Sequence, residues 1–293
     1  MSGSSRLFKV VSARLRRYNF YADSGANSLS SAGPRPKVNG VKMKITLPCL
    51  ICVGAKCSDL IKSHCRLDVA DNGIYMMNCG NSHSSIIILQ TVKFQLLFQV
   101  AINAIFDGYY RESVLSFQGS IERFYEFYIR VLAHSNKIDE EQLQLYWKEV
   151  RLSEREFGAF ATAYLLQNKK SVPVFARKKV GLTNLNITEL RNAVVHRGFI
   201  PNRATAIAFG DAVLDYLKFL IEELKVSHSQ AMVEIVAENS ANIERLARES
   251  VDVKAGLPIM GFTGIRSLVS PIDYNITGDI TSELALEERL RQI

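Results

Sequence analysis

Arg191, Asn192 and His196 form a short polar cluster whose residue types could carry out acid–base chemistry. In a helix, Asn192 and His196 are four residues apart and share a face, and Arg191 flanks that face. Histidine exchanges a proton near neutral pH, and an arginine guanidinium binds phosphate through paired N–H groups. Cleavage of RNA without a metal needs such groups, because a base must deprotonate the 2′-hydroxyl, an acid must protonate the leaving 5′-oxygen and a cation must stabilise the transition state.

The spacing by itself leaves a structural interpretation open. A histidine near the C-terminal end of a helix also stabilises the helix dipole or donates to a free carbonyl. One histidine and one arginine on a short helix would gain from a two-fold partner helix, which places a second copy of each group across a symmetric groove. The catalytic interpretation therefore favours a homodimer.

A second cluster consists of Cys49, Cys52, Cys79 and His83. The first two thiols are separated by two residues and followed by Gly54, where a knuckle turn needs a permissive backbone. Thiolate and imidazole donors converging tetrahedrally are the usual ligands of structural zinc. The spacing predicts a zinc-ribbon-like site, and a closed four-ligand site has no position for a reacting water, so we expect it to stabilise the fold or present a surface and to perform no chemistry.

Other residues keep the ligand set open. Cys57, His64 and Cys65 lie between the two pairs. The alternatives to zinc are reduced structural cysteines and a catalytic thiol. All 5 cysteines lie between positions 49 and 79 and no apolar signal-peptide core precedes them, so we expect a cytoplasmic protein without disulfides.

The elements that position the cysteine cluster are predicted as a small β unit over residues 42–89. Short apolar runs alternate with turns, which predicts strands over Met43–Leu47, Gly73–Asn78 and Ser85–Leu89. The most apolar stretch, Ile86–Phe106, is interrupted by polar residues that recur on one face of a helix, so we expect no membrane span.

The polar cluster at Arg191 requires helices around it, and residues 90–226 have the periodicity of a helical bundle. Apolar residues at helical spacing run up to Asp107 and Gly108, and a second run should pack antiparallel on the first. The predicted helices are a long one with its apolar face from Phe94 to Ile105, then residues 110–134, 139–150 and 153–168, a motif helix capped by Asn186 and Glu189, and residues 202–226. Residues 227–293 are predicted as an extension with one amphipathic helix over 230–249, an irregular stretch over 255–280 and a final helix over 281–293.

The positive charge does not belong to the bundle. Residues 1–42 contain 8 basic residues and 1 acidic residue, which accounts for the whole net charge of +7 and leaves 28 of each sign in the rest of the chain. Residues 1–41 are predicted as a disordered basic segment, with a transit peptide or an extension upstream of a biological start at Met43 as alternatives. RNA binding by the folded part must therefore depend on local patches.

One such patch is the basic loop before the motif helix. Its members are Lys169, Lys170, Arg177, Lys178 and Lys179, with Phe175 among them. Charge and stacking together could hold a phosphate backbone here, and a solvated loop is the alternative.

The segment from Glu189 to Gly198, preceded by two long helices and followed by another, resembles HEPN domains. The resemblance covers residues 90–226, less than half of the chain. It implies a dimeric all-helical bundle in which Arg191, Asn192 and His196 match the family's arginine, polar residue and histidine in a cleft between protomers. Many such proteins are metal-independent endoribonucleases of toxin–antitoxin and phage-defence systems, so an antitoxin or defence-system partner is also implied.

Two further positions bear on this resemblance. One HEPN branch has a tyrosine, modified by its antitoxin, where this chain has Gly198, so we do not expect that form of control. The segment Ser120–Glu126 resembles the polar-aromatic helix of Apea-like members, in which Glu122 or Glu126 could orient Arg191 or His196. An exposed salt bridge is the alternative for either glutamate.

The leading hypothesis is therefore a mainly α protein, with a HEPN-type bundle preceded by a small β zinc-ribbon-like unit, that cuts RNA as a homodimer. The rival is a non-catalytic HEPN adaptor or sensor that binds nucleic acid or protein through the zinc ribbon. A metal-dependent nuclease is disfavoured because the sequence has no paired-carboxylate signature.

Overall fold

A computed structural model describes residues 43–150, 153–173, 179–181, 183–250, 256–262 and 281. The predictions for residues 1–41, for residues 174–178 of the basic loop and for residues 282–293 lie outside the described residues. The described part is mainly helical, with small sheets on its N-terminal side, which confirms the predicted fold class at that level.

The chain begins with a two-stranded antiparallel sheet. Strand β1 (Lys44–Pro48) pairs with β2 (His64–Asp68), with Lys44 opposite Asp68. Two short helices, α1 (Leu50–Gly54) and α2 (Leu60–Ser63), connect these strands. The sequence predicted β1 and missed β2, because β2 is half-exposed and gains its stability from pairing with a distant segment.

A second sheet combines the two ends of the described chain. Strands β3 (Ile74–Asn78) and β4 (Ser84–Leu89) form an antiparallel hairpin, as predicted. Strand β5 (Ile259–Phe262) pairs parallel with β4, with Ile86 opposite Ile259. The expectation of an irregular stretch over 255–280 is therefore wrong at β5, a strand of four residues that is too short to show a period.

Two long antiparallel helices follow the hairpin. Helix α3 (Lys93–Phe106) ends before Asp107 and Gly108, as predicted, and α4 spans Tyr110–Ser135. The ring of Phe98 packs against Phe117 at 5.0 Å, whereas Phe94, one turn earlier, packs against Phe124 at 5.2 Å. From Phe94 to Phe98 the residue number on α3 rises, while the number of the partner on α4 falls from Phe124 to Phe117. This order of contacts confirms the antiparallel packing.

The polar face expected on α3 is not exposed. Gln95 and Asn103 are both buried. The Gln95 side chain accepts a hydrogen bond from the Val92 N–H, and the Asn103 amide donates to the Lys44 carbonyl at 2.9 Å. These hydrogen bonds take the place of hydrogen bonds to water, which allows the two polar side chains to be buried. The sequence pattern of α3 is that of an amphipathic helix, yet its polar side is buried as well as its apolar side.

The remaining helices complete the bundle. They are α5 (Glu140–Val150), α6 (Ser153–Asn168), α7 (Ile187–His196) and α8 (Arg203–Ser250). The α8 residues predicted to face inward are all buried, and they are Ala206, Phe209, Val213, Tyr216, Leu217 and Leu220.

Helix α8 contains the two helices predicted over 202–226 and 230–249. His228 has non-helical angles between them, with φ −140° and ψ 28°, so the element bends there. After the bend, Ile243 and Ala247 pack against Ile86 and Ile88 of β4. The second half of α8 therefore ties the bundle to the β unit. None of the described helices combines the length and apolar character that crossing a bilayer requires.

We expect Phe160→Ala to lower the free energy of unfolding by roughly 3–5 kcal/mol, because a fully buried ring is removed. Phe160 stacks on Tyr125 at 4.2 Å. Phe157→Ala is the matched control, since Phe157 lies on the same helix, contacts the same tyrosine at 5.7 Å and is half-exposed. It should cost less than about 1 kcal/mol. Urea denaturation measures both, and equal losses would contradict the assigned core.

Candidate functional site

The four predicted metal ligands converge at the tip of the β unit. Cys49 and Cys52 lie at the start of α1, directly after β1, and Cys79 and His83 lie in the turn between β3 and β4. Their ligand atoms all lie within 4.8 Å of one another, and the three thiols are buried. The Cys3His cluster could hold a metal ion.

The interatomic distances suit a tetrahedral site. The Cys52 and Cys79 sulfurs are 3.7 Å apart, and Nδ1 of His83 lies 3.2 Å from the first and 3.6 Å from the second. With metal–sulfur bonds of roughly 2.3 Å, two thiolates of a tetrahedral site lie about 3.8 Å apart. The donor types and the spacing therefore both fit a metal, and four protein donors fill the shell.

The turn that carries Cys79 and His83 is fixed by its backbone. The Cys79 N–H donates to the His83 carbonyl at 3.0 Å, and Ser82 adopts a φ of +62°. The Gly80 N–H donates to the Lys62 carbonyl, and a Cβ on Gly80 would come within 3.0 Å of the Lys62 backbone. A side chain at position 80 would push this backbone away, so glycine suits the close approach of the β3–β4 turn to α2.

Two features of the cluster differ from the expectation. Gly54, expected in a knuckle turn, ends α1 without a positive φ, so the first ligand pair begins a helix and does not lie on a hairpin. Asn81 was not predicted, although its amide donates to the Cys52 sulfur at 3.2 Å. A donor to a thiolate stabilises the charged, metal-binding form.

The thiols of the cluster differ in acidity. Burial acts to raise the pKa of Cys79, but N–H groups of His83 and Asn81 and the Cys49 thiol outweigh it, and the pKa falls from 9.0 to about 7. Burial raises the pKa of the Cys49 thiol to about 11. Cys79 therefore forms a thiolate more readily than Cys49, and metal binding would release a proton from Cys49.

The two remaining cysteines lie outside the four-ligand set. The Cys65 thiol donates to the Asn78 carbonyl at 3.3 Å. Burial, followed by contact with Cys52, raises the pKa of the Cys57 thiol. Neither cysteine nor His64 belongs to the group of converging ligand atoms.

The second predicted site lies on α7, which begins with the expected capping box. The Asn186 side chain accepts from the Glu189 N–H, and the Glu189 carboxylate accepts from the Asn186 N–H, both at 2.9 Å. Leu190 and Val194 are fully buried. These contacts fix the rotation of α7 and leave Arg191 and Asn192 half-buried beside α4.

Arg191 is held by two groups. Its Nη1 donates to Asn192 Oδ1 at 3.0 Å, and its Nη2 lies 3.9 Å from the Glu122 carboxylate on α4. Its Nε is buried and has no hydrogen-bond partner among the described residues. The structure thus brings together Arg191, Asn192 and Glu122, and the Nη2 group, which makes no hydrogen bond to the described residues, is the donor left for a ligand.

His196 is the last residue of α7, and it is exposed. Within the described chain it makes no hydrogen bond or ion pair, so one protomer does not join it to Arg191. Glu126, the other expected supporting glutamate, binds Arg123 at 2.5 Å and contacts neither Arg191 nor His196.

The sequence analysis missed a buried acid next to this site. Glu156 on α6 is 2% exposed and accepts two hydrogen bonds from Arg123, at 3.1 and 3.2 Å. Burial raises the pKa of Glu156 from 4.5 to about 7 even though Arg123 lowers it. Its spacing to Phe160 and Tyr164, at i+4 and i+8, was the signal that it faces the core.

Some of the described basic residues of the loop already have partners within the chain. Lys170 pairs with Glu223 and lies 5.7 Å from the Phe219 ring centre. The Lys179 backbone bridges to Asn186, and Lys169 is exposed with φ 55°. Arg177 and Lys178 lie outside the described residues. Lys169 and Lys179 are therefore better placed than Lys170 to contact a phosphate.

Comparison with protein families, with curated proteins and with solved structures found no match to this chain.

We expect purified protein to contain about one bound metal ion per chain, since the four ligands form one closed site. Cys52→Ser should remove the metal and lower the melting temperature, because the ligands join two loops. Cys65→Ser is the control and should keep both, since its thiol binds only a carbonyl. Elemental analysis and thermal unfolding measure these effects. Metal-free wild-type protein with an unchanged melting temperature would argue against the site.

Glu156 also predicts a pH dependence of stability. Its folded pKa of about 7 lies above the ordinary 4.5, so its contribution to stability is present below pH 4.5 and is lost as the pH rises through 7. A shift of this size corresponds to roughly 3 kcal/mol.

Glu156→Gln should therefore remove most of this loss between pH 5 and pH 8, because glutamine stays neutral. Urea denaturation at both pH values gives the difference between variant and wild type. Glu154→Gln, an exposed change on the same helix, should follow the wild type. A Glu156→Gln variant with the wild-type pH slope would refute the assignment.

Proposed function

We propose that this protein is a metal-independent endoribonuclease of HEPN type that acts as a homodimer. The observation that carries the proposal is the Arg191 guanidinium, which Asn192 and Glu122 orient while its Nη2 makes no hydrogen bond to the described residues and the side chain stays 27% exposed. A guanidinium held in place with a free donor is suited to binding a phosphate. Arg191 lies five residues before the exposed His196, and Asn192 lies about one helical turn before it.

In the proposed mechanism, Arg191 clamps the scissile phosphate and Asn192 fixes the guanidinium plane. The RNA 2′-hydroxyl attacks the phosphorus, and His196 removes its proton or protonates the leaving 5′-oxygen. As these two tasks need groups in opposite protonation states, the second histidine of a dimer would supply the other. The lack of contact between His196 and Arg191 within one protomer is consistent with a site completed by a partner.

Zinc is the proposed metal of the Cys3His cluster. Cys49, Cys52, Cys79 and His83 would hold it, with Asn81 donating to one thiolate. Zinc in a closed shell of four protein donors stabilises a fold and performs no chemistry. It would anchor the β unit on α3 and leave catalysis to the bundle.

A toxin or phage-defence role in the cytoplasm, controlled by an antitoxin or another defence protein, is the proposed context. It rests on the resemblance of the segment Glu189–Gly198 to HEPN domains. An adjacent gene for an inhibitor would support it.

The second candidate is a non-catalytic HEPN adaptor. It is favoured by the Arg191–Glu122 ion pair, which gives the arginine a structural role. Binding through the β unit receives less support, since three of its four described lysines and arginines are compensated by nearby acids, in the pairs Lys44–Asp68, Lys62–Asp59 and Arg66–Asp107.

We expect wild-type protein to cleave RNA in the presence of EDTA, and His196→Ala to lower the rate at least about a hundredfold, the range for loss of a general acid or base. The folded dimer should persist, because His196 is exposed. Incubation with total RNA and tRNA, followed by gel electrophoresis, measures cleavage.

His134→Ala serves as the control, since His134 lies at the end of α4 between Glu234 and Glu238. It should cleave like the wild type. Full activity of His196→Ala would refute the mechanism, and RNA binding without any cleavage by the wild type would favour the adaptor.

A further inference from the structure

Two large apolar side chains are exposed directly after His196. Phe199 is 40% exposed and Ile200 is 75% exposed, in the loop of residues 197–202 that joins α7 to α8. We name these residues the post-motif loop. Single exposed apolar residues are common, but two in succession beside a proposed reacting group suggest a binding surface.

The post-motif loop is held rigidly at both ends. The N–H groups of Arg197 and Phe199 both donate to the Ala193 carbonyl, at 3.1 and 3.0 Å, and Gly198 takes a φ of +69°. At the other end Pro201 is buried, and Asn202 caps α8 by accepting from the Thr205 N–H at 2.9 Å. The phenyl ring is thus presented from a fixed backbone, which reduces the entropy lost on binding.

The charge around the loop favours an anionic ligand. Between positions 187 and 203 the basic residues are Arg191, Arg197 and Arg203, and Glu189 is the only acid. The Glu189 carboxylate is already used in the α7 capping box. In the proposed dimer the arginines of both copies lie near one groove, and a phosphate backbone bound there would neutralise their charges.

We infer that the post-motif loop binds unpaired RNA, with Phe199 stacking on a base beside the scissile phosphate and Arg197 and Arg203 contacting the flanking phosphates. Both arginines are exposed, and they lie two and four residues from Phe199. Aromatic rings stack on bases only where the bases are not enclosed in a duplex. This inference rests on the proposed function and adds a substrate class, single-stranded RNA or RNA loops.

Fluorescence anisotropy with a labelled single-stranded 12-nucleotide RNA tests the inference, in the His196→Ala background so that the RNA stays intact. Phe199→Ala should weaken binding roughly tenfold, and Phe199→Trp should restore it, because stacking tolerates any large ring. Phe157→Ala, an exposed phenylalanine on α6, is the matched control and should bind normally. A duplex of the same sequence should show no effect of Phe199.

Salt dependence separates stacking from charge. The double variant Arg197→Ala with Arg203→Ala should flatten the slope of log affinity against log salt by about one to two, whereas Phe199→Ala should leave that slope unchanged. Unaltered RNA binding by Phe199→Ala would overturn the inference. So would dissociation of the dimer by Phe199→Ala in light scattering, since the ring would then contact a second copy.

The same measurements distinguish failure of the inference from failure of the proposed function. If wild-type protein cleaves RNA and Phe199→Ala binds normally, the stacking role is wrong and the nuclease remains. If Phe199→Ala weakens binding but wild-type protein never cleaves, the loop binds RNA and the nuclease is wrong.

Discussion

The burial of α3 on both sides is the constraint on which the rest of the structure depends. Phe94 and Phe98 face the bundle core, whereas Leu96 packs into the core of the β unit, and the Asn103 amide bonds to the β1 backbone. A helix that packs against two cores lies between two layers, so neither the bundle nor the β unit can be removed without exposing apolar surface. The metal cluster and the Arg191 site are consequently two parts of one packed body.

Helices with a clear apolar period could be predicted from the sequence, because burial on one face leaves a periodic signal. The ends of α3 and α4 agree with the prediction to within one residue. Strands β2 and β5 could not be predicted in this way, since each has four or five residues and pairs with a distant segment. The burial of Gln95 and Asn103 was missed for a related reason: a polar residue reads as exposed unless its partner is known.

In the candidate sites, too, the residues with a local sequence signal could be predicted and those that depend on distant partners could not. The metal ligands could be predicted because each pair lies within a few residues, and local turns bring such pairs together. Glu122 was also anticipated as a partner of Arg191, from its position on a polar-aromatic helix. Asn81 and Glu156 could not be assigned, because their roles depend on Cys52 and Arg123 across the fold. Local spacing indicates which donors converge, and tertiary packing decides which charges surround them.

The acids around Arg123 and Arg191 explain why these two arginines have different roles. Arg123 makes two short hydrogen bonds to the buried Glu156 and a third to Glu126, so its guanidinium is committed to the fold. Arg191 lies 3.9 Å from Glu122, too far for a hydrogen bond, so its Nη2 has no hydrogen-bond partner among the described residues and its Nη1 donates to Asn192. Such a loose ion pair orients a guanidinium without satisfying it, so an incoming phosphate gains hydrogen bonds at Arg191 that it cannot gain at Arg123. Of the two arginines packed around α4, Arg191 is therefore the one available to a ligand.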